Sequence, residues 1–235
     1  MNPKIVSAQD AMALAMKEKR CNHDYIQHGS PSAIVELCSS GLTILYPFNS
    51  LTAAIFDDIN SCMAFAQHED KIDSIRVPCH WEKIREKILK IEETWPDFVN
   101  ELARVLGRDI TVSIETGYLN KLSLDLKKYG LKRIVKEDID TLLAIYLNAV
   151  VKTAVNGKWA LSINGFEGHK YTFYVPYIID QDGIEYKLQR RLLDSLVSRY
   201  PKFDLCKIIE LSTYSSNIDV SGEVISKIPG IKPHK

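Results

Sequence analysis

A chain of 235 residues can build one large or two small domains, and an apolar share of 46% is enough for a buried core. Its Lys and Arg total 30 and its Asp and Glu total 30, so there is no basic excess to displace counterions, and neither nucleic acid nor an anionic membrane is the expected partner. No apolar run approaches the roughly 20 residues of a membrane span, and Ala11–Met16 runs into Lys17-Glu18-Lys19-Arg20, the wrong charge order for a secretory signal; a cytoplasmic location is therefore expected.

In chain order, Ser7 with Asp10 three residues on predicts the capped start of a short helix. Residues 22–33 read as a polar connection and 31–39 as a short helix opened by Pro31. Leu42, Ile44 and Tyr46 alternate as a strand that Pro47 closes. Asn49 or Ser50 then caps a helix ending near His68, with Leu51, Ile55, Ile59, Cys62, Met63 and Ala66 along one face. A further helix begins near His80 on Trp81, Ile84, Ile88, Ile91 and Trp95. Pro96 is expected to interrupt it, Phe98, Leu102 and Val105 to restart it, and Gly107 to stop it.

Residues 108–114 alternate and read as a strand or a lead-in to the next helix, 115–129, which Gly130 ends. The segment 137–155, opened by Glu137-Asp138 and stopped at Asn156-Gly157, is apolar almost all round and is predicted to be a buried central helix. Trp159, Leu161 and Ile163, then Tyr171, Phe173, Val175 and Tyr177, alternate on either side of Asn164-Gly165 and predict a hairpin. Pro176 marks an edge or the end of its second strand. Asp182-Gly183 is read as the start of a helix through Leu188, Leu192 and Leu196, residues 205–211 as a strand, and the tail from about 213 as loose. Helices first and a hairpin later predict an α+β protein with a mostly helical region 1–107, an α+β region 108–212 and a tail 213–235. No linker separates the first two, which leaves room for one shared core.

Candidate chemistry is sparse. Asn156-Gly157-Lys158 and Gly165-Phe166-Glu167-Gly168 precede strands, where a phosphate-cradling loop precedes a helix, so turn glycines are expected. Five cysteines, Cys21, Cys38, Cys62, Cys79 and Cys206, contain no CxxC pair and are expected to be reduced thiols. Cys79, between Pro78 and His80, is the thiol worth testing for reactivity. His23 and His28 stand five apart, and Cys79 and His80 are adjacent on a helix start and diverge, so neither a metal site nor a cofactor is expected. No catalytic residue is assigned. The alternation of the aromatic strand directs Tyr171, Phe173 and Tyr177 to one face, expected to be core, and Tyr174 to the other. Tyr174, Arg190 and Arg191 are the candidate partner-binding surface.

Tyr146-Leu147-Asn148-Ala149, Asn156-Gly157-Lys158-Trp159, Val175-Pro176 and Leu188–Leu196 together resemble a group of small bacterial α+β domains. In that group a helix ends in Tyr-Leu-Gly-Glu and a Gly-Gly-x-Trp turn leads into a strand. Asn148 and Ala149 replace the Gly and Glu of the first motif here, and Asn156 replaces one Gly of the second. The resemblance, over residues 115–200, implies an immunity protein or an accessory protein of a toxin system. The expected function is thus a non-enzymatic protein that binds a protein partner, a cognate toxin, and neutralises it. The alternative is a hydrolase-type enzyme whose site is assembled from distant residues, and a nucleic-acid module on the aromatic strand comes third.

Overall fold

The computed structural model describes residues 3–18, 20–26 (backbone path only), 32–164, 171–197 and 203–212. The chain forms two compact units, one of Met1–Lys83 with Gly165–Thr172, the other of Ile84–Asn164 with Phe173–Lys235. Each unit contains helices and an antiparallel sheet, so the α+β class holds. The first unit runs to Lys83 before Gly165–Thr172 joins it. The expected tail 213–235 lies outside the described residues.

The first unit holds β1 (Lys4–Ser7), α1 (Ala8–Lys17), β2 (Arg20–Ile26), β3 (Ser32–Leu37), β4 (Thr43–Pro47), β5 (Thr52–Phe56), α2 (Ile59–Ala66), α3 (Glu69–Ile75) and α4 (His80–Lys83). Ser7 caps α1 as predicted: its hydroxyl oxygen accepts from the Asp10 N–H at 3.0 Å and donates to the Asp10 carboxylate at 2.7 Å. The five strands pair in the order β1-β5-β4-β3-β2. Successive residues of β4 and β5 enter opposite layers. Ile44 and Ala53 pack with Ala11 and Ala15 of α1, whereas Leu45, Ala54 and Phe56 pack with Cys62 and Ala66 of α2 and Ile72 of α3.

This two-sided burial corrects three expectations. Residues 20–26 are a strand and not a polar connection, 32–37 are a strand and not a helix, and the helix predicted from 51 is β5 followed by α2. A strand covered on both faces reads as a continuous apolar run, which in Thr52–Phe56 passes for part of a helical stripe. Asn49, read as a cap, occupies the left-handed region at φ 51 in the turn closed by the Ser50 N–H to the Pro47 carbonyl. Asp58 caps α2 instead, accepting from the Ser61 N–H at 2.8 Å.

The second unit holds α5 (Arg85–Ile88), α6 (Ile91–Leu106), α7 (Thr116–Tyr129), α8 (Leu131–Lys136), α9 (Ile139–Val155), β6 (Lys158–Asn164), β7 (Phe173–Ile179), β8 (Glu185–Tyr186), α10 (Leu188–Val197) and α11 (Leu205–Ser212). Helix α9 is the core: every residue from Thr141 to Val151 is buried, and α6, α8, α10 and β7 pack around it. Gly107 and Gly130 end α6 and α7 at positive φ, and Asn156 ends α9 at φ 50, as their positions in the sequence predict.

Pro96 does not interrupt α6, which runs through it. The break lies upstream at Leu89–Lys90, where the Thr94 hydroxyl donates to the carbonyls of Lys87 and Lys90 at 2.7 and 3.1 Å. Residues 205–212 form helix α11 and not a strand, since the Asp204 carboxylate accepts from the Cys206 N–H at 2.9 Å and caps it. Asp182-Gly183 opens no helix either. The Asp180 carboxylate gathers the N–H groups of Asp182 and Ile184 and the Tyr186 hydroxyl into a turn before β8. Strands β6 and β7 form the predicted hairpin, but Asn164 pairs with Phe173, so eight residues and not a tight Asn-Gly turn connect them.

Candidate functional site

The densest polar constellation of the first unit surrounds Arg76, between α3 and α4. Its Nε donates to the Phe48 carbonyl at 3.0 Å and one terminal nitrogen to the Asn49 carbonyl at 3.3 Å. Both terminal nitrogens engage the Glu82 carboxylate, with the two side chains only 6% and 16% exposed. The guanidinium carbon lies 4.1 Å from the centre of the Tyr171 ring. The Tyr171 hydroxyl donates to Asp73, and Asn49 Nδ2 holds the Tyr171 carbonyl at 2.9 Å. A guanidinium with each nitrogen bonded inside the protein is a clamp on backbone and ring, with little donor capacity left for a ligand. Sequence reading missed it because the Tyr171–Asp73 pair spans 98 residues and neither belongs to a local pattern.

In the second unit, β7 directs Tyr174, Pro176 and Ile178 to one face. Pro176 and Ile178 are buried there, so this is the covered face. Tyr174 is accordingly half-buried, with the Arg85 guanidinium 5.6 Å from its ring centre. Tyr177, expected in the core, is only half-buried: its hydroxyl meets Glu185 at 3.2 Å and Lys187 Nζ lies 5.0 Å from its ring. Tyr171 belongs to the first unit and not to the strand.

Three buried side-chain atoms on elements flanking that face lack a hydrogen-bond partner among the described residues: Arg85 Nε, Asn148 Oδ1 and Trp159 Nε1. Asn148, 0% exposed, donates from Nδ2 to the Pro176 carbonyl at 3.1 Å. β8 pairs only with Ile178 and Ile179, so Asn148 supplies the partner that a neighbouring strand would give at Pro176. The Asn that departs from the resembled motif thus has a structural task.

Arg190 and Arg191 stand exposed on α10, whose buried residues Leu188, Leu192 and Leu196 lie on the side turned to α8, α9 and α11. Tyr174, by contrast, lies on the covered face of β7. Val197 at the end of α10 is 73% exposed.

The thiols are not activated. Burial pushes Cys79 up despite N–H groups of Glu82 and Trp81 directed at it, and it pushes Cys62 to about 12 and Cys206 to about 11. Cys38 is disulfide-bonded, which corrects the expectation of reduced thiols throughout. Among the described residues, no three His, Cys, Asp or Glu side chains converge on a metal position. His28 lies outside the described residues, and of His23 only the backbone path is described. A cavity of about 410 Å³ in the first unit has Leu14, Leu42, Ile55 and Phe56 as apolar lining, with Lys4 and Asp57 beside them. The Ser61 hydroxyl that also lines it donates to Asp58 and is committed to the α2 cap. No helix among the described residues is long and apolar enough to cross a membrane.

No family model, curated protein or solved structure matches the chain.

Proposed function

We propose that this chain is a non-enzymatic interaction protein of the immunity type, which binds a cognate bacterial toxin and occludes it. The supporting observation is the outward side of α10, where Arg190, Arg191 and Val197 are exposed on a helix anchored by Leu188, Leu192 and Leu196. Two guanidiniums beside an apolar side chain on a rigid helix suit a protein surface carrying carboxylates, since Arg offers bidentate bonds and a weakly hydrated cation. A hydrolase built on Cys79 would need its thiolate, which burial disfavours. The disulfide at Cys38 fits an oxidising compartment better than the cytoplasm, so the location expected from the sequence is not part of the proposal.

Co-expression with the product of the neighbouring gene should give a complex that survives purification and relieves growth arrest by that product. The double charge reversal R190E/R191E should weaken the complex at least about tenfold and abolish protection while leaving the fold intact. A chain that forms no complex, or a complex indifferent to both reversals, overturns the reading.

A further inference from the structure

An unpaired strand edge is a row of N–H and C=O groups ready to pair with another chain, and folded proteins blunt such edges. The described sheets have four edges, β1 and β2 in one and β6 and β8 in the other. Three of them are blunted. Strand β1 has four residues and begins with Lys4, β2 shifts register against β3 between Arg20 and Asp24, and β8 has two residues. Strand β6 is different. Its seven residues pair one-to-one with β7 from Lys158 opposite Ile179 to Asn164 opposite Phe173, without a bulge. It contains no proline, and its sole charge, Lys158, sits at one end. Among the described residues β7 is its only strand neighbour, and Ile163 is 47% exposed.

We propose that β6 pairs antiparallel with β6 of a second copy of this chain, joining two three-stranded sheets into one of six strands. The sequence Lys158-Trp159-Ala160-Leu161-Ser162-Ile163-Asn164 reads alike in size and polarity from both ends. A two-fold axis at Leu161 sets Leu161 against itself, small Ala160 against small Ser162, and Trp159 against Ile163 of the second copy. The last is an aromatic–β-branched cross-strand pair of the kind that stabilises antiparallel sheets. Lys158 meets Asn164 and not Lys158, and the two lysines end up roughly 20 Å apart at about 3.4 Å per residue, where salt screens their repulsion. The contact is isologous and closes on itself, which yields a dimer and not a fibre. It leaves the exposed side of α10 out of the pairing strands and does not depend on the function proposed above.

Sedimentation equilibrium of the full chain tests the pairing. The wild type should show twice the 26.7 kDa chain mass. I163K replaces an exposed side chain and should shift dissociation at least about tenfold toward monomer, with circular dichroism unchanged. A short thiol–thiol crosslinker should join L161C to its copy and leave K158C at the wild-type background. A monomeric wild type, a dimer indifferent to I163K, or crosslinking through K158C in place of L161C overturns the proposal. If I163K fails to fold, the wild-type mass and the crosslinking pattern decide it.

Discussion

Arg76 shows how much one side chain can hold. It ties the β4–β5 turn through two carbonyls, neutralises Glu82 and covers the Tyr171 ring. Removing the cation would strand a mostly buried carboxylate, which costs about 3–5 kcal/mol when one partner of a buried pair is deleted. R76M should lower the urea unfolding free energy by that order, and R76K should restore only part of it because an ammonium lacks the planar fork. Asp140, in the first turn of α9, carries the opposite lesson. Helix N-termini favour negative charge, yet burial and then the charge of Asp138 raise its pKa to about 6. An acid whose folded pKa exceeds its unfolded value of about 4 takes up a proton on folding between those two pH values. Its contribution to stability therefore falls as pH rises from about 4 to 6 and is least favourable above 6. D140N should remove this slope and raise stability at pH 7 by about 3 kcal/mol, read from thermal midpoints across pH. Neither behaviour was legible in the sequence, where Arg76 and Asp140 are ordinary charged residues.

At the scale of elements, some local signals held and others, such as Pro96 and Asp182-Gly183, did not act as read. The Ser7–Asp10 cap, the glycine stops at 107 and 130 and the end of α9 at Asn156-Gly157 each lie within a few residues of what they control. Gly157 has a further reason to be glycine. A Cβ there would lie 2.5 Å from Ile178 Cγ2 and 3.0 Å from the Ile179 carbonyl, so the exit of α9 passes hard against β7. G157A should cost about 1–3 kcal/mol in urea unfolding through overpacking. The elements misread were those whose state depends on what covers them. β5 carries Ala53 and Ala54 into opposite layers, and α11 rests on Ser123, whose hydroxyl accepts from the Leu205 N–H 82 residues away. Their patterns are intelligible only once both neighbours are in place.

For the whole molecule, helical spacing early and a period-two hairpin later point to an α+β protein, and the two antiparallel sheets beside the helices bear that class out. The candidate surface was partly legible: Arg190 and Arg191 are exposed as a surface anchor requires, whereas Tyr174 lies half-covered beneath Arg85. Tyr171 and Thr172 belong to the first unit, where the Tyr171 ring meets Arg76. By itself the sequence determined the Ser7 cap, the stops at Gly107, Gly130 and Asn156, the buried α9 and the β6–β7 hairpin, since these rest on spacings of two to four residues within one segment. Only the tertiary structure decided the five-stranded sheet, the Arg76 clamp and the place of β6 at the edge of its described sheet. Strand pairing and buried charge depend on partners tens of residues away, and burial on both faces of a strand erases the alternation by which a sequence announces it.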